Sequence, residues 1–439
     1  MSKRGAMHLG LIMDPYGNHP SAWLASDAPR GAEKSIEHYV HVARTAEQCA
    51  FDFIFFADVP AIRDGNLDAI SRWPLYAAQF EPITLLGALA TATSRIGLAA
   101  TVSTSFSEPY NVARQFASLD HLSHGRVGWN VVTTSQPAAA FNFGKDARKE
   151  HAERYARARE HLAAVKGLWK SWDDDAFLYD KANGRFFDPA KLHRLNFAGE
   201  YFSVRGPLNV PRSPQGSPVI IQAGASEPGR ELAAETAEIV FTADRDIERG
   251  RQFYTDLKQR LAKFGRSPED LKILSGLNAI FGRTRQEAQE LYGRLNEALQ
   301  PIVGRELLSI DMDYVDLKDV PLDEPIPDSL FPSDVQGGKS YLGYIRQTMG
   351  GRKLTLRQLY ESYATGRGGN VVVGSPTDVA DVMEEWFTTG AADGFMLGFS
   401  LLPSGIEGFR DLVVPELRRR GLFRSEYSGS TLRSHLGLA

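Results

Sequence analysis

The chain has 439 residues, 43% hydrophobic and 24% charged, with a formal net charge of −4. That profile belongs to a folded globular protein with a sizeable core, and it excludes a disordered or fibrous chain and a strongly basic nucleic-acid binder. The lone cysteine, Cys49, excludes an internal disulfide and a cysteine-rich zinc site. It suits a reducing cytoplasm, and Leu9 to Met13 is too short for the core of a secretion signal.

His8 to Met13 predicts a first strand, ended by the turn formers Asp14, Pro15 and Gly17. Apolar residues recur at helical spacing through Glu33 to Cys49, and Phe51 to Ala57 is an apolar run too short for a helix. The second run ends on Asp58. A carboxylate at the C-terminal end of a buried strand is a site candidate, because in a parallel barrel that end faces the catalytic mouth; a turn or helix cap is the plainer alternative. Val59 to Phe80 shows no period and is expected to be a working loop. Its Arg63 and Arg72 are candidates to meet substrate carboxylates, unless they are ordinary solvated arginines. Pro82 to Thr93 predicts a helix, Arg95 to Thr101 a strand and Pro109 to Leu122 another helix, with the hydroxyl-rich Thr101 to Ser107 between the last two.

Gly125 to Thr134, GRVGWNVVTT, is the most informative stretch. In a strand, Val127, Trp129 and Val131 fall on one side and Gly128, Asn130 and Val132 on the other. Both sides look enclosed. Asn130 then needs partners, since an unpaired buried amide costs about 1–3 kcal/mol, and Gly128 is expected to leave a gap beside it where a ligand enters. A core strand with a satisfied asparagine is the alternative.

A loop through Phe141 to Gly144 precedes a long polar helix expected from about Asp146 to Trp172. His151 and Tyr155 share one face of it, with Arg159 a turn further on. Facing the mouth, they can hold a polar ligand; facing water, they are surface residues. Trp172 to Pro218 looks irregular, with at most a short hairpin. Pro218 to Gln222 is a strand, followed by Ala223, Gly224, Ala225, Ser226, Glu227 and Pro228. Ser226 is a good N-cap and Pro228 fits a first helical turn, so the helix would offer free N–H groups and its positive dipole end to an anion. A capped helix with water at its end is the alternative.

Ile239 to Thr242, Leu271 to Phe281, Val371 to Val373 and Phe395 to Phe399 read as strands. Asp246 to Phe264, Arg285 to Leu299, Thr377 to Thr388 and Gly405 to Arg420 read as helices. About eight strands alternating with helices predict an α/β protein with a closed (β/α)8 TIM barrel. We expect one barrel domain over residues 1–439, with insertions at about 59–80, 173–217 and 308–370.

No GxGxxG follows a strand and no GxxxxGK[ST] occurs, so nicotinamide and nucleoside triphosphate lack their usual loops. Pro228 stands where a nucleophile elbow needs its closing glycine. His121 and His124 lack a third ligand of suitable type, so no metal is expected.

Beyond these patterns, the chain resembles a known family nearly end to end. GRVGWNVVTT, HAERYARARE (His151 to Glu160), RGPLNVPRSPQGSPVIIQAGAS (Arg205 to Ser226), GAADGF (Gly390 to Phe395) and LFRSEYSGSTLRSHLG (from Leu422) carry the likeness. It is to the nitrilotriacetate/aminopolycarboxylate and dibenzothiophene-sulfone monooxygenases, the large oxygenase components among bacterial-luciferase-like flavin monooxygenases. The resemblance implies a bacterial-luciferase-like barrel that takes reduced FMN (FMNH2) from a separate NAD(P)H:FMN reductase. It implies that O2 adds at the flavin C4a position and that the resulting hydroperoxide oxidises a small organic substrate, with cleavage of a C–N or C–S bond. By position, it places the FMN phosphate at Gly224, Ala225 and Ser226 with Tyr155 and His151 nearby, and the flavin ring along Asp58, Thr104 and Asn130. His151 and Asn130 are the expected catalytic groups, and a homo-oligomer, dimer or tetramer, is expected. The alternatives are a barrel hydrolase or lyase that binds a phosphorylated substrate at Ser226 with Asp58 as base, and a non-catalytic flavin-binding protein.

Overall fold

The computed structural model describes residues 5–74, 77–134, 136–144, 150–224, 226–332, 339–367 and 369–438. Strands form where short apolar runs meet turn formers: β1 (His8–Ile12), β2 (Phe53–Phe56), β3 (Gly97–Ser103), β4 (Val127–Val132), β5 (Val219–Gln222), β6 (Ile239–Thr242), β7 (Lys272–Phe281), β8 (Asn370–Gly374) and β9 (Gly394–Phe399). They pair only in parallel, and all but β8 close into a ring of eight through the β9–β1 pairing. The long strand β7 pairs with β6 over Lys272–Ser275 and then, on the same edge, with β8 over Leu277–Phe281. The expected barrel is therefore present, with β8 laid beside its rim.

Helices α1 (Ile36–Gln48), α2 (Pro82–Ala92), α3 (Pro109–Leu122), α4 (His151–Leu168), α5 (Glu227–Thr236), α6 (Ile247–Arg260), α7 (Arg285–Glu297), α8 (Pro301–Asp311), α9 (Lys339–Met349), α10 (Leu356–Gly366) and α11 (Pro376–Thr388) follow in chain order. Several begin as their sequences dictate. Ser35, Ser226, Asp246, Thr284 and Ser375 each accept an N–H from the first turn, and proline opens α2, α3, α8 and α11, where its missing N–H is harmless. Helix α4 starts at His151, later than expected. The start expected at Asp146 lies outside the described residues, and a short helix, Pro137–Asn142, takes in the first two residues of the loop expected through Phe141 to Gly144.

The two faces of β4 show how the barrel is filled. Trp129 points outward onto Phe116 of α3 and Trp169 beyond α4, with ring centroids 5.6 and 6.3 Å away. Gly128 points inward, but the gap expected there is absent: a Cβ would lie 2.9 Å from Ile221 and 3.3 Å from Leu432. Leu432 and Leu436 come from the C-terminal tail and complete the interior cluster of Phe53, Phe55, Ala99, Val219, Ile221, Ile239, Leu274 and Met396. Around them the tail binds the N-terminal ends of the strands. Leu432 N–H donates to Gly125 O at 3.0 Å, Tyr427 to Phe51 O at 2.7 Å, and Arg433 pairs with Glu238 at 2.5 Å. That end is a closed floor, and ligand space is left to the opposite, C-terminal end.

The insertion expected at 308–370 is largely helical. Helices α8, α9 and α10 bury a second cluster that includes Val303, Leu307, Leu342, Ile345, Leu359 and Tyr363, and Trp73 of the 59–80 loop inserts into it. Residues 173–217 hold two short hairpins, Phe177–Asp180 with Arg185–Phe187 and Phe197–Ala198 with Ser203–Val204, where at most one was expected. Among the described residues no helix is long and apolar enough to cross a membrane, and no group of His, Cys, Asp or Glu is arranged to hold a metal ion.

Candidate active site

Because all strands run one way, their C-terminal ends and the following turns meet at one mouth. Asn130 lies high on β4, opposite Thr101 of β3 and Ile221 of β5. Its Nδ2 donates to Thr101 Oγ1 at 2.9 Å. Its Oδ1 is buried with no hydrogen-bond partner, which is costly unless a ligand supplies a donor. Thr104, also buried, spends its hydroxyl proton on Val132 O at 3.1 Å, so only a lone pair of that oxygen remains for a ligand. Asp58 follows β2 and accepts from Gln79 Nε2 at 3.4 Å. Burial, reinforced by the charge of Glu81, pushes its carboxyl up to about 6.

From Ile221, β5 leads through Gln222 to the second group. Ser226 caps α5, accepting from Gly229 N–H at 3.3 Å. A Cβ on Gly229 would lie 3.1 Å from both Ser226 Oγ and Tyr155 Oη, and one on Gly224 would lie 3.1 Å from Gly229 Cα. Two glycines, a serine and a tyrosine hydroxyl thus meet at the N-terminus of α5. His151 stands beside Tyr155 in the first turn of α4, ring centroids 4.8 Å apart. Arg159, a turn on, leaves this group and pairs with Glu235 of α5 at 3.3 Å, which holds α4 and α5 together. Ala225 lies outside the described residues.

The loops over the mouth are latched to one another. Arg63 pairs with Asp311 at 3.4 Å, Asn142 Nδ2 donates to Pro60 O at 3.0 Å, and Tyr314 donates to Gln136 Oε1 at 3.4 Å. Arg72 is held by Asp68 and by Gln300 at 2.9 Å each. Arg63 and Arg72, candidates to meet substrate carboxylates, are thus tied to other segments and help fix the loop.

Sequence reasoning missed several mouth residues. Asp14 ends β1 as Asp58 ends β2, and burial pushes its carboxyl up to about 6 against the opposing charge of Arg367; the same strand-end argument would have found it. Arg245, just after β6, gives Nε to Gly369 O at 3.1 Å and Nη2 to Ser362 O at 3.4 Å. Among the described residues it has no carboxylate partner.

A capped helix N-terminus and an unmet acceptor at the mouth of a parallel barrel suit a ligand-binding barrel protein, and comparison places the chain further. The model of the family described as luciferase-like monooxygenase matches residues 18–393. The chain is 47% identical to N-acetyl-S-(2-succino)cysteine monooxygenase of Bacillus subtilis (strain 168), over 100% of this chain and 98% of that one. It is 45% identical, with the same coverage, to nitrilotriacetate monooxygenase component A of Aminobacter aminovorans. The solved EDTA monooxygenase of Chelativorans sp. BNC1 superposes with a TM-score of 0.79 at 35% identity, covering 99% of each chain. The chain belongs to the luciferase-like monooxygenase family. It is an FMNH2-dependent monooxygenase, the oxygenase component of a two-component system, acting with O2 on a small organic substrate.

The residues present fit reduced FMN. Gly229 keeps the space between Ser226 Oγ and Tyr155 Oη clear of a Cβ, as a phosphate there would need, and the orphaned Asn130 Oδ1 could take a donor of the kind a reduced flavin ring carries. The hydrolase reading, which used the same Ser226 and Asp58, has nothing left to explain.

Proposed function

We propose that this enzyme oxidises a small substrate bearing more than one carboxylate and so breaks a C–N or C–S bond, with reduced FMN supplied by a separate NAD(P)H:FMN reductase. The observation that carries the substrate class is Arg245, a half-buried guanidinium at the mouth that lacks a carboxylate partner among the described residues. Two relatives, nitrilotriacetate monooxygenase component A and N-acetyl-S-(2-succino)cysteine monooxygenase, are named for substrates that agree with it. When bound, reduced FMN supplies the electrons that activate O2.

The protein's own part is to bind, orient and keep dry. In this reading Tyr155, Ser226 and the N–H groups around Gly224 hold the phosphate, and Asp58, Thr104 and Asn130 border the ring. His151 and Asn130 hold the reacting oxygen by hydrogen bonds. The latched loops exclude water, which would divert the oxidant. The enzyme works as a homo-oligomer in the cytoplasm. The test is turnover with reduced FMN and O2 over a panel of amino- and thioether-carboxylates, trapping the carbonyl fragment that bond cleavage releases. Hydrogen peroxide as the sole product with every carboxylate, alongside carbonyl product from an uncharged amine or sulfide, would overturn the carboxylate assignment.

A further inference from the structure

Beside Asp58, whose partner Gln79 it shares, lies a narrow cleft lined in part by Asp14, Asn18, His19, Trp73 and Gln79. Its polar groups are mismatched. Among the described residues nothing donates a hydrogen bond to the Asp14 carboxylate, and the cation acting on it, Arg367, is committed to Asp311 at 2.9 and 3.1 Å. Asn18 donates Nδ2 to Asn278 Oδ1, and Asn278 Nδ2 donates to Gly366 O at 3.3 Å. A backbone carbonyl accepts only a donor, so this relay fixes which way both amides point. It leaves Asn18 Oδ1 buried with no donor. His19 brings no positive charge, since burial pulls its imidazole down to about 4.

The cleft therefore offers a carboxylate and an amide oxygen and asks for hydrogen. A thioether sulfur or an ether oxygen has none to give, and a substrate carboxylate would be repelled by Asp14. A protonated nitrogen satisfies both groups, and its charge-assisted bonds are the stronger kind. We propose that Asp14 and Asn18 form a nitrogen-recognition subsite that selects substrates whose reacting bond adjoins an N–H-bearing amine over their sulfur and oxygen counterparts. This deepens the carboxylate reading above and rests on it. With Arg245 holding a carboxylate on the other side of Asn278, near Gly366, the pair reads an amino-carboxylate by both of its charges.

Three ligands with one skeleton test it: iminodiacetate, oxydiacetate and thiodiacetate, titrated calorimetrically into the FMN-loaded enzyme kept reduced under nitrogen. Iminodiacetate should bind at least about tenfold more tightly than the other two. Asp14→Asn should abolish that advantage while leaving thiodiacetate unchanged or tighter. Equal binding of the three by the native enzyme, which needs no variant, overturns the subsite and leaves the carboxylate reading standing, as does an advantage that survives Asp14→Asn. Diethylamine and diethyl sulfide separate the two ideas from the other side. Preference for diethylamine that depends on Asp14, with no binding of any dicarboxylate, keeps the subsite and removes the carboxylate reading; binding by none of the five removes both.

Discussion

The two ends of the barrel solve opposite problems with the same residue types. At the floor, Asp52 is fully buried and yet its needs are met: Leu9 N–H donates to it at 2.7 Å, and Arg424 and His8 each approach to 3.0 Å. Burial alone would raise its carboxyl, but Arg424 and His8 outweigh it and hold the group below the usual carboxylate range. At the mouth, Asp14 and Asp58 lack such partners and are pushed up, and Asn18 and Asn130 each keep a buried oxygen without a donor. Among these carboxylates and amides, the satisfied one holds the barrel together and the unsatisfied ones stand at the end that takes a ligand.

The comparison breaks most visibly at the floor. Arg424→Ala strips Asp52 of its main cation, and removing one partner of a buried pair costs about 3–5 kcal/mol, readable by denaturant unfolding at neutral pH. The folded fraction should bind FMN as before. Because the folded carboxyl is depressed, its stabilisation is present above the unfolded value and lost as pH falls through the folded one. Variant and parent should converge in acid. A loss of FMN affinity without loss of stability would show that the floor and mouth are not separate.

At the mouth the effects should fall on binding. Gly229→Ala improves intrinsic helix propensity, so stability should stay within about 1 kcal/mol of the parent. Its Cβ, however, would sit 3.1 Å from Ser226 Oγ and Tyr155 Oη. FMN affinity, followed by flavin fluorescence, should fall at least about tenfold through lost phosphate bonds. Asn130→Ala deletes one bond to Thr101 and one orphaned acceptor together, and these nearly cancel, to within about 1 kcal/mol. Its effect should show as more hydrogen peroxide per product formed.

The sequence was legible where a local rule decides. The alternation of Val127–Val132, the Ser226 cap and the bounds of β6 are set by neighbouring residues, and the structure has them as read. It was opaque where distant segments decide. Leu432 and Leu436 look like one turn of surface helix, and only the closed ring makes them its floor. Gly128 removes a side chain, as read, but whether that leaves a gap depends on a tail that enters some 300 residues later. Ser226, singled out as a cap, and Tyr155, singled out by helical spacing, do lie together against Gly229. Arg245 and Asn18, single residues in turns, become interesting only once their partners are known.

The smallest effect sharpens the comparison most directly, because it asks whether the mouth is strained before any ligand arrives. Asp14 carries a carboxyl raised from 3.8 to about 6 by burial, with Arg367 opposing, and its charge in turn contributes to raising Tyr39 nearby. A carboxyl raised on folding favours the native state while protonated; that contribution is full below the unfolded value and is lost as pH rises through the folded one. Asp14→Asn keeps the shape and removes the charge. It should match the parent at pH 4 and melt higher at pH 8, on the order of 1 °C for a chain of this size and a largely but not fully buried group. The equivalent change at the floor, Asp52→Asn, should run the other way, lowering the melting temperature at pH 8 because a needed charge is gone. If both variants moved in the same direction, burial alone would govern the two ends, and the unmet groups of the mouth would lose their meaning as a sign of function.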